Sequence, residues 1–185
     1  MLDDATRRLR TSHLYDPQAP IWLFFCNEPW RMRLYTGPVG GVADTLLTQN
    51  IYLREADIGA NRIVPPRGTL ADADQRSLSY FVAHEATHIV QSRALGRLLK
   101  WHPEWLVEGY ADYVAKAGDF DFEENRSLLK QDDACLDYAR SGLYRRYHLM
   151  VAWLLDEQGQ EIVEIFAVPP TQDTVLDDLL GNERR

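Results

Sequence analysis

His84-Glu85-Ala86-Thr87-His88, followed by the run from Trp105 to Tyr113, WLVEGYADY, whose Glu108 lies twenty residues after His88, decides how this 185-residue sequence is read. From Asp74 to Leu95 the apolar residues Leu78, Phe81, Val82, Ile89, Val90 and Leu95 recur at helical spacing, and Gly96 marks the stop. The spacing therefore predicts a helix with HEATH at its middle. Two histidines four apart lie on one helix face, so both imidazoles can reach one metal ion. Glu85 is turned by about 100° from His84 around the axis, near that ion without bonding to it. There it can take a proton from a water that the metal has acidified to a pKa of about 7. The competing reading is a half-exposed helix face carrying i,i+4 polar pairs.

A second helix is expected over Glu104 to Ala117, with Pro103 at its first turn and Gly118 closing it. It presents Glu108 and Asp112 on one face. A catalytic zinc site with two histidines needs a third protein ligand and one open position. Glu108 suits the ligand role, and Asp112 can accept the Nδ1–H of a ligating imidazole and so set its tautomer. Trp105 and Leu106 are available to anchor this helix.

HEATH followed by WLVEGYAD resembles the gluzincin peptidases, the thermolysin-like clan. It is most similar to small bacterial members, of the peptidase MA-like kind, that share HExxH and then W-L-x-E-G-x-A-[DE]. The match is strong from about Ser79 to Val114. The resemblance implies a zincin-like α+β fold and one zinc ion per chain held by His84, His88 and Glu108. It also implies Glu85 as general base and Asp112 as the partner of His84. Such enzymes usually add a Tyr or His from the C-terminal helical part, which hydrogen-bonds the oxyanion. The candidates lie between Tyr138 and Gly159: Tyr144 first, then Tyr147, then His148. For each the competing reading is an aromatic that packs a helix. The segment departs from the glycine-bearing motif of the aminopeptidase relatives, and no carboxylates are evident for holding a free α-amine, so an endopeptidase is favoured. Gly40 to Asp44 resembles the edge strand on which this clan lays its substrate. Gly41, Val42 and Ala43 would then bind peptide through backbone groups, with a simple hairpin turn as the alternative.

Working outward from these motifs, Leu2 to Leu14 reads as a charged helix, and the apolar run Ile21 to Cys26 as a buried strand. Asn27 caps a brief helix with Pro29 in its first turn, and Val39 to Val64 reads as a small antiparallel meander. Helices are expected over about Asn125 to Gln131, Leu143 to Gln158, Glu161 to Ala167 and Thr174 to Leu180. Strands first and helices later predict a segregated α+β catalytic domain over 1–185, with an N-lobe of about 1–98 and a helical, acidic C-lobe of about 99–185.

Composition narrows the function classes. Hydrophobic residues make up 45% of the chain, which sets aside wholesale disorder. No apolar run approaches the roughly 20 residues of a membrane span, so no membrane segment is expected. A formal net charge of −8 argues against nucleic acid as a partner, while the resemblance implies a peptide or protein substrate. Residues 1–118 carry 13 acidic and 13 basic side chains, whereas residues 119–185 carry 15 and 7, so the surplus lies in the last third. A mild preference for basic substrate segments is expected from it. Cys26 and Cys135 form no CxxC unit and are expected to be thiols, with one disulfide open in an oxidising compartment. His13 and His102 fall outside the motif spacing. A cytoplasmic location is expected if Met1 is the natural start, and an extracytoplasmic one if the chain was cut downstream of a signal or anchor. The functional expectation is zinc-dependent peptide-bond hydrolysis. Its rival is an inactive zinc-binding fold that acts as an interaction or regulatory module.

Overall fold

The computed structural model describes residues 1–18, 20–36, 43–46, 49–64, 76–96 and 101–181. The chain divides into two compact units, Met1–Arg97 and Leu98–Arg185.

In the first unit, α1 (Leu2–Leu9) is amphipathic and buries Ala5 and Leu9. Asp3 and Asp4 sit in its first turn and Arg7 and Arg8 in its last, matching the helix dipole. The helix stops at Leu9, earlier than the expected Leu14. Ser12 accounts for this, because its hydroxyl accepts the Leu14 N–H at 3.1 Å and offers the backbone a turn in place of a helical bond.

Strand β1 (Trp22–Cys26) is followed by α2 (Pro29–Thr36), β2 (Ala43–Leu46) and β3 (Asn50–Arg54). The sheet order is β1-β3-β2, with β1 parallel and β2 antiparallel to β3. Within 39–64 the described strand pairs are antiparallel, as expected, β2 with β3 and Ala56–Asp57 with Arg62–Ile63; β1, reached before α2, adds to β3 in parallel and makes the sheet mixed. One expectation is corrected here. The apolar run at 21–26 is an edge strand and is not fully buried: Trp22 and Phe24 are exposed while Cys26 is buried. The central strand is β3, with Ile51, Tyr52 and Leu53 all buried. Tyr52 stacks on both Phe24 and Tyr35, and joins Cys26 and Met32 in a small cluster between α2 and the sheet. A short hairpin, β4 (Ala56–Asp57) with β5 (Arg62–Ile63), completes the strands of this unit.

Helix α3 (Leu78–Leu95) starts four residues later than the periodicity suggested, because Ser77 caps it. The Ser77 hydroxyl accepts the Tyr80 N–H at 3.1 Å. Asn61, in the left-handed conformation at φ 53°, accepts the Ser79 N–H through Oδ1 at 2.9 Å and the Leu78 N–H through its carbonyl. The hairpin thus fixes the start of the HEATH helix. Residues on nearly every side of α3 are buried, as expected of a central helix covered by α1 and by the sheet.

The second unit is helical: α4 (Glu104–Lys116), α5 (Phe122–Lys130), α6 (Tyr138–Ser141), α7 (Arg145–Ala152), α8 (Ile162–Ala167) and α9 (Gln172–Leu180). Asp121, Asp133 and Asp137 each cap a helical turn through a side-chain oxygen, so part of the acidic surplus does local structural work. The expected helix over 143–158 is α7 followed by a π-helical turn, Trp153–Glu157. Helix α4 packs along α7 at Gly109. A Cβ there would lie 2.6 Å from the Tyr147 carbonyl oxygen and 2.8 Å from its carbon. Only glycine permits that approach.

The protein is therefore α+β, with small sheets in the N-terminal unit and a helical C-terminal part. Cys26 and Cys135 are free thiols. Among the described residues no helix is long and apolar enough to cross a membrane.

Candidate metal centre

His84, Glu85 and His88 occupy the middle of α3, with His84 buried and the other two half-buried. The imidazoles lie edge to face, with ring centroids 4.9 Å apart. Thr87, buried between them in sequence, satisfies its hydroxyl by donating to the Ala83 carbonyl at 2.7 Å, so it makes no demand on its surroundings. One ligand atom each from His84, His88 and Glu108 lies within 4.8 Å of the others. Two nitrogens and a carboxylate oxygen form a donor set suited to zinc with a coordination position left over. The residues present fit such an ion.

The His88 ring is oriented by a residue the sequence reading did not single out. Its Nδ1 lies 3.0 Å from Oε1 of Gln91, which is fully buried one turn along α3. An amide oxygen can only accept, so the His88 proton sits on Nδ1 and the Nε2 lone pair is left for a metal. The signal was present as the i,i+3 spacing in HIVQ, but a glutamine on a helix has many other uses.

On α4, Trp105 and Leu106 are buried. Gly109, next to Glu108, is explained by the contact with α7. Asp112 is buried one turn beyond Glu108. Its Oδ2 accepts from Nδ1 of His148 at 2.9 Å and from Nζ of Lys116 at 2.7 Å. Burial opposes ionisation of Asp112, but the His148 hydrogen bond and the Lys116 ammonium outweigh it and hold the carboxyl well below the usual range. For His148, burial dominates over the attraction of Asp112 and lowers its pKa. The resulting state is an Asp112 carboxylate compensated by Lys116, with a neutral imidazole donating from Nδ1. Phe120 stacks on that imidazole at 3.7 Å between centroids and lies under the Lys116 ammonium. His148 is thus built into the interior of the second unit, a setting unlike that of a group open to substrate.

The two tyrosine candidates stand elsewhere. Tyr138, Tyr144 and Tyr147 form a continuous stack, with centroid separations of 4.6 and 5.9 Å and interplanar angles of 7° and 19°. Tyr144 is held far above its ordinary ionisation range by burial, by the Glu108 carboxylate and by Tyr138. Tyr147 is shifted upward by burial and by Glu104. Gly41 and Val42 lie outside the described residues, and Ala43 opens β2 opposite Leu53. His102 packs edge to face on Phe166, and His13 is exposed.

His84, His88 and Glu108 thus form a group that could hold a metal ion, with a carboxylate, Glu85, one residue from the first histidine. No family model, no curated protein and no solved structure matches the chain.

Proposed function

We propose that this protein is a zinc-dependent peptidase of the gluzincin type, with a zincin-like catalytic fold, acting as an endopeptidase. The observation that carries the reading is the grouping of His84, His88 and Glu108 donor atoms within 4.8 Å, with Glu85 beside them on α3. His84, His88 and Glu108 would hold the ion, and Gln91 would orient His88. Zinc bound there supplies Lewis acidity toward a peptide carbonyl and toward a water molecule.

Glu85 takes a proton from the attacking water and delivers it to the departing amine as the carbon–nitrogen bond breaks. Tyr144 donates its hydroxyl proton in a hydrogen bond to the oxygen that gains negative charge, with Tyr147 the second choice. Asp112, held by His148 and Lys116, positions the helix turn that carries Glu108.

The test pairs metal analysis with one variant. The purified protein is expected to contain about one zinc per chain and to cleave peptides in a chelator-sensitive way. Glu85→Gln is expected to keep its zinc and lose nearly all hydrolysis. Full activity in that variant, or protein that takes up no zinc, overturns the proposal. Zinc uptake without cleavage of any peptide favours the interaction module.

A further inference from the structure

The second unit carries an aromatic and anionic surface for which the hydrolytic chemistry alone has no use. Glu104 and Glu108 are one turn apart on α4, and Gly109 brings the α7 backbone at Tyr147 against that helix. The tyrosine stack continues from this point: Tyr147 to Tyr144 to Tyr138, whose ring is 46% exposed. Glu104 is exposed, and among the described residues no Lys or Arg forms an ion pair with it. Both carboxylates act on Tyr144 and on Tyr147, so all four side chains share one neighbourhood. Arg146, the residue before Tyr147 on α7, is the cation that acts on Tyr147.

If Glu108 is committed to a metal, Glu104 stays available beside the outer ring faces of the stack. Ring faces are electron-rich and attract cations, and a carboxylate at the edge adds a charged hydrogen-bond acceptor. We propose that Glu104 and the Tyr138–Tyr144–Tyr147 stack form a specificity subsite that takes a lysine or arginine side chain of the substrate peptide. This rests on the peptidase reading and deepens it, by giving a place to the preference for basic segments expected from overall charge. An apolar side chain could also lie on the rings, but it would leave the Glu104 carboxylate unused.

The experiment compares peptides that differ only in Lys or norleucine, and Arg or citrulline, at each position flanking the cleaved bond. Zinc-loaded wild type, Glu104→Gln and Glu164→Gln are assayed for kcat/KM. Glu164 is an exposed acid on α8 and reports the effect of charge alone. Wild type is expected to favour the cationic peptide by about tenfold at one position. Glu104→Gln lowers that ratio by a factor of about three to five, while Glu164→Gln leaves it unchanged. In parallel, the same peptides, fluorescently labelled, are titrated against zinc-loaded Glu85→Gln to obtain binding ratios without turnover. Equal handling of both peptides by wild type, or a preference that survives Glu104→Gln intact, overturns the subsite. Charge-dependent binding that needs Glu104, in a protein that cleaves nothing, supports the subsite and retires the peptidase reading. Absence of both cleavage and charge-dependent binding overturns the two together.

Discussion

Replacing Gly109 by alanine tests the packing on which the second unit is built. A Cβ at this position would sit 2.6 Å from the Tyr147 carbonyl oxygen, 2.8 Å from its carbon and 3.0 Å from Cγ2 of Val151, where ordinary contact begins at 3.4 Å. The worst overlap is with backbone, which no rotamer change can relieve, so α7 has to move away from α4 by about 0.8 Å. Overpacking of this kind costs about 1–3 kcal/mol. Against it stands the helix propensity of alanine, worth about 1 kcal/mol over glycine in a helix interior. An overlap this deep against backbone takes the upper part of that range, about 2–3 kcal/mol, so the steric term wins and the net loss is about 1–2 kcal/mol. For a chain of this size that lowers Tm by about 2–8 °C. The assay is a thermal melt by circular dichroism, with urea unfolding to show that the m-value is unchanged. A variant as stable as wild type, or more so, refutes the close approach of α7 to α4. The same movement displaces Tyr144 and Tyr147 relative to Glu108, so activity is expected to fall by more than stability alone explains, up to about a hundredfold in kcat/KM.

Gln91→Leu keeps volume while removing the acceptor of His88 Nδ1. Zinc affinity measured by chelator competition is expected to drop by about 10- to 100-fold, and unchanged affinity would show that Gln91 does not orient the ring. Acid stability should report His148. Its folded pKa is lowered by burial, so below about pH 6.5 the unfolded chain binds a proton that the folded chain refuses, and stability falls as pH falls, by up to about 1.4 kcal/mol per unit. Asp112 acts in the same direction below about pH 3.9, because its folded pKa is lowered as well. Urea midpoints for wild type and His148→Gln across pH 4.5–7.5 should diverge least at the acid end; parallel curves would disprove the buried neutral imidazole. Lys116→Met removes the cation that compensates Asp112 while keeping most of the side-chain length. A loss of about 1–3 kcal/mol is expected in urea unfolding, and a neutral effect would mean that the ion pair is dispensable.

How much was legible in the sequence depended on whether a feature is local. HEATH and its helix are encoded within about two turns: the i,i+4 histidines share a face whatever surrounds them, and Gly96 stops the helix because it alone reaches φ 64° at no cost. The Glu108 helix was equally plain from Pro103 and Gly118. The edge status of β1 was not legible, since an unbroken apolar run looks the same whether one side of the strand or both are covered. Here Trp22 and Phe24 remain exposed, and Phe24 is satisfied by stacking on Tyr52. The π-helical turn at Trp153–Glu157 was invisible for a related reason. A run that continues the apolar pattern of α7 gives no sign that its hydrogen bonds shift by one residue.

The sequence by itself determined the types and spacing of the candidate metal-binding residues, the helices that bear them and the segregation of strands from helices, because periodicity and capping act over a few residues. Tertiary structure decided which groups serve as partners. Asp112 meets His148, 36 residues away, and Gly109 meets the α7 backbone at Tyr147, 38 residues away. Such pairings depend on which surfaces of distant segments come within hydrogen-bond or ring-stacking distance. That is set by packing over the whole unit, and local spacing carries no record of it.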